Sequence, residues 1–112
     1  MSISELKGPR AASPLRKVLR SRAQLLLPDG TSFEVRTVDV AAGGLSVISK
    51  QAFTAGGEYS LVFKIPVQGA LQTLTADVKI IYVSSAGADG MRLGLRFMRP
   101  DPLRTRLIEA LH

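Results

Sequence analysis

The sequence has 112 residues, a formal net charge of +6, no cysteine, and a single histidine at the last position, His112. That length fits one domain around one hydrophobic core, and the lack of cysteine excludes a disulfide framework or thiolate metal site, as in a reducing, cytoplasmic protein. Without an internal histidine, a P-loop pattern or clustered carboxylates, the residues for a catalytic triad, a metal centre or a phosphate-hydrolysing loop are missing. A non-enzymatic binding module without a cofactor is therefore expected.

The basic charge is concentrated at the front. Within residues 1–22, Lys7, Arg10, Arg16, Lys17, Arg20 and Arg22 face Glu5 alone, while the rest of the chain is almost neutral. Such a head suits an anion such as phosphate, or is simply a solvated terminus. Residues 1–14, with Gly8, Pro9, Ser13 and Pro14, show no apolar period and read as a flexible lead-in. No apolar run approaches the roughly 20 residues of a membrane helix, and no signal core is present, so a soluble protein without membrane insertion is expected.

From Ala23 onward, short apolar segments alternate with turn signals at all-β spacing. Residues 24–27 form one strand, closed by Pro28-Asp29-Gly30, and Phe33, Val35 and Thr37 alternate with Ser32, Glu34 and Arg36 in the next. After the Gly43-Gly44 break, Leu45, Val47 and Ser49 continue the alternation, and residues 59–65 form a strand that Pro66 is expected to end. The longest strand sets Leu74, Ala76, Val78, Ile80 and Tyr82 on one face, with Thr73, Thr75, Asp77 and Lys79 on the other. Residues 84–90 read as a loop, and Leu93, Leu95 and Phe97 then alternate with Arg92, Gly94 and Arg96.

The tail changes period over residues 101–111. Asp101 can cap a helix begun by Pro102, with Leu103, Leu107, Ile108 and Leu111 on one face and Arg104, Arg106 and Glu109 toward water. A helix this short must dock on the sheet. The fold class is thus all-β: a six-stranded antiparallel barrel over residues 23–99, with a basic arm at 15–22 and a short C-terminal helix.

Two segments carry chemistry. In Arg16-Lys17-Val18-Leu19-Arg20 two arginines stand four apart, and an arginine fork matches phosphate oxygens or the O6 and N7 edge of guanine. In Asp39-Val40-Ala41-Ala42-Gly43-Gly44 a carboxylate that can accept from a guanine's N1 and N2 hydrogens sits at a turn, with glycines that allow close approach. Each segment alone is equally an ordinary surface helix or tail and an ordinary Asx turn.

Their order and spacing resemble the PilZ family, whose members carry R-x-x-x-R on an N-terminal arm, a strand pair, a D-x-S-x-x-G turn and further strands. Arg16 and Arg20 match the arginine pair, Asp39 and Gly44 the ends of the turn, and Gly94-Leu95-Arg96-Phe97 the closing strand, over about residues 15–110. The resemblance implies a receptor for cyclic di-GMP, whose phosphates and guanines would meet Arg16, Arg20, Asp39 and Gly44, with Lys17 and Gly43 alongside. It also implies an effector protein that reads the changed surface in motility, biofilm or exopolysaccharide control.

The family's serine is Ala41 here. Losing one hydroxyl bond, worth about 0.5–1.5 kcal/mol, would weaken binding without abolishing it. Leu15 stands where some members have a further arginine that holds a second nucleotide, so one nucleotide per chain is expected, unless Leu15 only packs on the barrel. Tyr82 is expected inward by parity, in the core rather than under a base. The alternative is a PilZ-like interaction module without nucleotide, as in pilus assembly. Single-stranded nucleic acid is disfavoured, because only four Phe and two Tyr are available as stacking platforms.

Overall fold

The structure, a computed structural model, describes residues 16–111, so the expectations for residues 1–14, Leu15 and His112 lie outside the described residues. Seven strands and one helix follow in order: β1 (Lys17–Val18), β2 (Arg22–Leu26), β3 (Ser32–Ala41), β4 (Gly44–Ser49), β5 (Glu58–Val67), β6 (Ala70–Ser85), β7 (Met91–Phe97) and α1 (Pro102–Glu109), with a 3₁₀ turn at Gly87–Asp89 before β7. Every pairing is antiparallel.

The strands run β3-β2-β5-β6-β7-β4, and β4 pairs again with β3, closing a barrel-like ring. The ring has the six strands expected from alternation. β1 is an addition, lying on β3 beyond the end of β2 with Lys17 opposite Val40 and Val18 opposite Asp39. Two residues are too few to show periodicity in a sequence, and only the tertiary pairing makes them a strand.

Inward alternation builds the core. Leu25, Val35, Val40, Leu45, Val47, Leu61, Phe63, Ile65, Val78, Ile80, Leu93 and Leu95 are buried inside the ring, and Ile108 of α1 joins them. Each such side chain contributes about 1.5–3 kcal/mol on leaving water. Helix α1 closes on this core, with its start fixed as expected: the Asp101 side chain accepts from the Arg104 backbone N–H, and Pro102 occupies the first turn.

Four expectations fail, each for a physical reason. Pro66 lies inside β5, opposite Leu71; β2 pairs with β5 only at Ser60–Val62, so the missing N–H of Pro66 breaks no ladder on that side. The loop after the long strand begins only at Ala86, because β6 stays paired with β7 through Ser85.

Helix α1 sends Arg106 and Glu109 outward as expected, but not Arg104. Arg104 is buried, its guanidinium 4.1 Å from the centroid of the Phe97 ring and donating to the Arg99 carbonyl at 2.6 Å, while Leu103 is exposed. An arginine can bury its plane on an aromatic face and still satisfy donors at its tip. Tyr82, expected inward, is exposed on the outer surface. The cause is a bulge.

Candidate functional site

Along β3 the inward positions are Val35 and Thr37, and strict alternation would send Asp39 inward as well. The ladder to β4 shifts between Thr37 and Asp39: Thr37 opposes Val47 and Asp39 opposes Ser46, leaving Val38 as an extra residue. A β-bulge of this kind re-aims the following side chain. Asp39 thereby joins Ser46 on the outward side of the ladder, where Ser46 is covered by Arg16 and Tyr82, and Val40 returns to the core. The carboxylate is thus placed by a strand bulge, and the turn proper is only Ala42-Gly43.

The same device recurs across the ring. On β6 the register shifts between Ile80 and Tyr82, which makes Ile81 the extra residue and turns Tyr82 outward opposite Gly94. Ser46 in turn opposes Gly94. Four adjacent strands therefore carry one outer row, Asp39, Ser46, Gly94 and Tyr82, with a bulge at each end of it.

Side chains tie this row together. The Tyr82 ring lies over Gly94, and its hydroxyl is 3.3 Å from Ser46 Oγ. Arg16 donates to Asp39 Oδ1 from Nε at 3.1 Å and from Nη2 at 2.7 Å, and reaches Ser46 Oγ at 3.3 Å. Arg92 of β7 donates to Asp39 Oδ2 at 3.3 Å. Partial burial acts to raise the Asp39 pKa, but the hydrogen bond and charge of Arg16, together with Ser46 and Arg92, outweigh it and hold the carboxyl below its ordinary range. The aspartate is an anion clamped between two guanidiniums.

Beside this row, an open cavity of about 880 Å³ runs along the outer face of β3, lined among others by Arg20, Arg22, Arg36, Val38, Ile48 and Lys50. That volume lies within the range of small-molecule sites. Arg20 reaches it because the arm bulges: from Val18 to Arg22 the arm advances four residues while β3 moves three, from Asp39 to Arg36. Leu19 stays buried and Arg20 is exposed. Glu34 and Asp89 also line the cavity, and Glu34 pairs with Arg22 at 3.3 Å.

Among the residues singled out from sequence, Arg16 and Asp39 are thus in direct contact, and Arg20 lines the neighbouring cavity. Lys17 points elsewhere: its Nζ donates to the carbonyl oxygens of Glu109 and Leu111 at the end of α1. Ala41 is buried opposite Gly44, so a hydroxyl added there would enter a confined position. Gly44 answers a steric demand of the ring itself, since a β-carbon on it would meet the Leu95 carbonyl oxygen at 2.0 Å. Gly43 is an exposed turn residue whose carbonyl accepts from the Phe97 N–H at 2.9 Å.

Arg92, Ser46 and the outward Tyr82 were missed. Arg92 carried a usable signal, for the outward parity of β7 reads Arg92, Gly94, Arg96, a basic face interrupted by a residue with no side chain. Ser46 faces outward by the alternation of Leu45 and Val47, but its meeting with Asp39, like the outward facing of Tyr82, depends on the bulges in β3 and β6.

A family model described as the PilZ domain matches residues 9–111. No curated protein matches the sequence. Among solved structures, the chain is similar to the PilZ domain with c-di-GMP of YcgR from Escherichia coli, with a TM-score of 0.67 and 18% identity, over 86% of this chain and 84% of that one. It is also similar to the Bacillus subtilis inhibitor of motility MotI/DgrA (TM-score 0.76, 12% identity, 97% of this chain) and to YcgR of Escherichia coli in complex with c-di-GMP (TM-score 0.70, 19% identity, 86% of this chain). The chain spans 54% of the former and 42% of the latter. At these identities the likeness is one of fold.

Proposed function

The chain belongs to the PilZ domain family, and from that premise we propose that it is a receptor for cyclic di-GMP that changes its surface on binding to regulate a partner protein. The observation that carries this reading is the convergence of Arg16 and Arg92 on the outward carboxylate of Asp39, beside a cavity ringed by Arg20, Arg22, Arg36 and Lys50. The two phosphates of the ligand would lie among the cavity's cations, where charge-assisted bonds are about twice as strong as neutral ones. One guanine would present its N1 and N2 hydrogens to Asp39, with an arginine fork on its O6 and N7 edge. Tyr82, 42% exposed and backed by Gly94, offers a flat surface for that base.

In the free protein Asp39 is occupied by Arg16. An exposed ion pair of this kind contributes only about 0–1 kcal/mol, so a ligand that supplies both hydrogen-bond donors and phosphates can redistribute it. Arg16 would then move from the carboxylate to the nucleotide. The domain would act in the cytoplasm, and control of motility is the process favoured by similarity to an inhibitor of motility; biofilm and exopolysaccharide control belong to the same proposal. Among the described residues no helix is long and apolar enough to cross a membrane.

Ala41, at the position of the family's serine, favours the second reading, an interaction module that does not take up nucleotide. Calorimetry with cyclic di-GMP on the native chain and on Arg20→Ala decides between them. Saturable heat that falls steeply in the variant supports the receptor; no heat from the native chain at low salt refutes it.

A further inference from the structure

The arm holds two parts of the molecule with consecutive residues. Arg16, directly before β1, and Lys17, its first residue, reach in different directions: Arg16 grips Asp39 while Lys17 reaches the far end of α1. The last carbonyls of a helix lack intrahelical partners and carry the negative end of its dipole. Lys17 Nζ donates to one of these end carbonyls, that of Glu109, and at 2.6 Å to the carbonyl of Leu111, just past the C-cap Ala110. No other side chain among the described residues donates to this end of the helix. Two residues further along the arm, the buried Leu19 pins the chain to the core, with its N–H on the Val38 carbonyl at 3.1 Å.

We infer that Lys17 is a positioning residue that ties the ligand arm to the C-terminal end of α1, so that occupancy of the Asp39 site and docking of the helix end rise and fall together. Lys17 opens β1 with Arg16 directly before it, and among the described residues β1 is held on β3 by two residues of pairing. Loosening of Arg16 frees the backbone that aims Lys17, and loss of the helix end removes the second anchor of Arg16. Coupling of this kind is reciprocal. A nucleotide that fastens Arg16 therefore tightens the helix end, and a partner that lifts the helix end weakens the nucleotide. The ligand half of this statement rests on the proposed receptor function; the link between Arg16 and the helix does not.

Amide hydrogen exchange on the full chain tests it at Ala110 and Leu111, whose N–H groups bond to the Arg106 and Ile108 carbonyls at 3.0 and 3.1 Å. Without ligand, Arg16→Ala is expected to speed exchange at these two amides by about fivefold or more, the low end of measured couplings. In a Lys17→Met background, which keeps the stem and removes the donor, Arg16→Ala should have no further effect, and Lys17→Arg should restore the link. An equal effect of Arg16→Ala with and without Lys17, or none in either, overturns the inference.

With cyclic di-GMP, the native chain should gain protection at the same amides. Lys17→Met should still give calorimetric heat yet no added protection at the helix end. Equal protection in Lys17→Met overturns the inference. If the native chain gives no heat, the receptor reading fails instead, and the ligand-free comparison of Arg16→Ala in the two backgrounds decides the link.

Discussion

The Tyr82 ring occupies the space in which a side chain at Gly94 would stand: a β-carbon built on Gly94 would come within 2.0 Å of the ring's Cε2 atom. The pair is a matched knob and hole across β6 and β7, created when the bulge at Ile81 turns Tyr82 outward. Gly94→Ala is therefore expected to eject the ring into solvent. Stacking on an aromatic ring is worth about 1–3 kcal/mol per base, so Gly94→Ala and Tyr82→Ala should each weaken cyclic di-GMP binding by roughly 5- to 150-fold. The double variant should be no worse than either single one. Fully additive losses in calorimetry would show that the two residues act separately.

Asp39 governs a pH dependence of stability. Its folded pKa lies below its ordinary value of 3.8, so its ion pairs stabilise the fold fully above that ordinary value. The stabilisation is lost as pH falls through it toward the lowered folded value. Asp39→Asn should accordingly be less stable than the native chain at neutral pH, with the difference vanishing in acid. Urea unfolding midpoints across that range check this, and a difference that persists unchanged into acid contradicts the assignment of Asp39 as a clamped anion.

Arg20 and Arg92 should fail in different ways. Arg20 lines the cavity and is assigned to phosphate, so Arg20→Ala should cost roughly 10- to 150-fold in affinity, the range for a bond to a charged group, and should flatten the salt dependence of binding. Arg92 already holds Asp39 at 3.3 Å, so Arg92→Ala should erode discrimination between guanine and adenine cyclic dinucleotides more than salt dependence. Titrations at two salt concentrations with both dinucleotides separate the two, and identical profiles would refute the division of roles.

Ala41→Ser restores the family's hydroxyl in a buried position on β3. If that hydroxyl meets the ligand, affinity should rise roughly two- to tenfold, the value of one hydrogen bond. If it stays unpaired, the variant should instead lose stability by about 1–3 kcal/mol with no gain in binding. Calorimetry and thermal melts read the two outcomes together.

What was legible in the chain was local. Alternation and turn signals marked the six strands of the ring, Asp101-Pro102 marked the start of the helix, and the order of the Arg16, Arg20, Asp39 and Gly44 segments pointed to the family. Each strand pattern, cap and motif segment is contained in a handful of consecutive residues, and the order of segments is read along the chain, so a sequence displays them directly. Parity arguments held wherever the ladder was regular, as in Leu93, Leu95 and Phe97.

What only the tertiary structure decided lies past each irregularity. One extra residue, Val38 or Ile81, inverts the facing of everything that follows on its strand, and whether a strand bulges depends on the partner it pairs with. Hence parity points Tyr82 into the core although it stands on the outer row, and no local pattern connects Ser46 and Arg92 to Asp39. The same holds for Lys17, whose charge was visible from the start but whose partners, Glu109 and Leu111, lie at the other end of the chain. Contacts of that separation are set by how the ring closes, since closure brings the arm and the helix to the same side of β3.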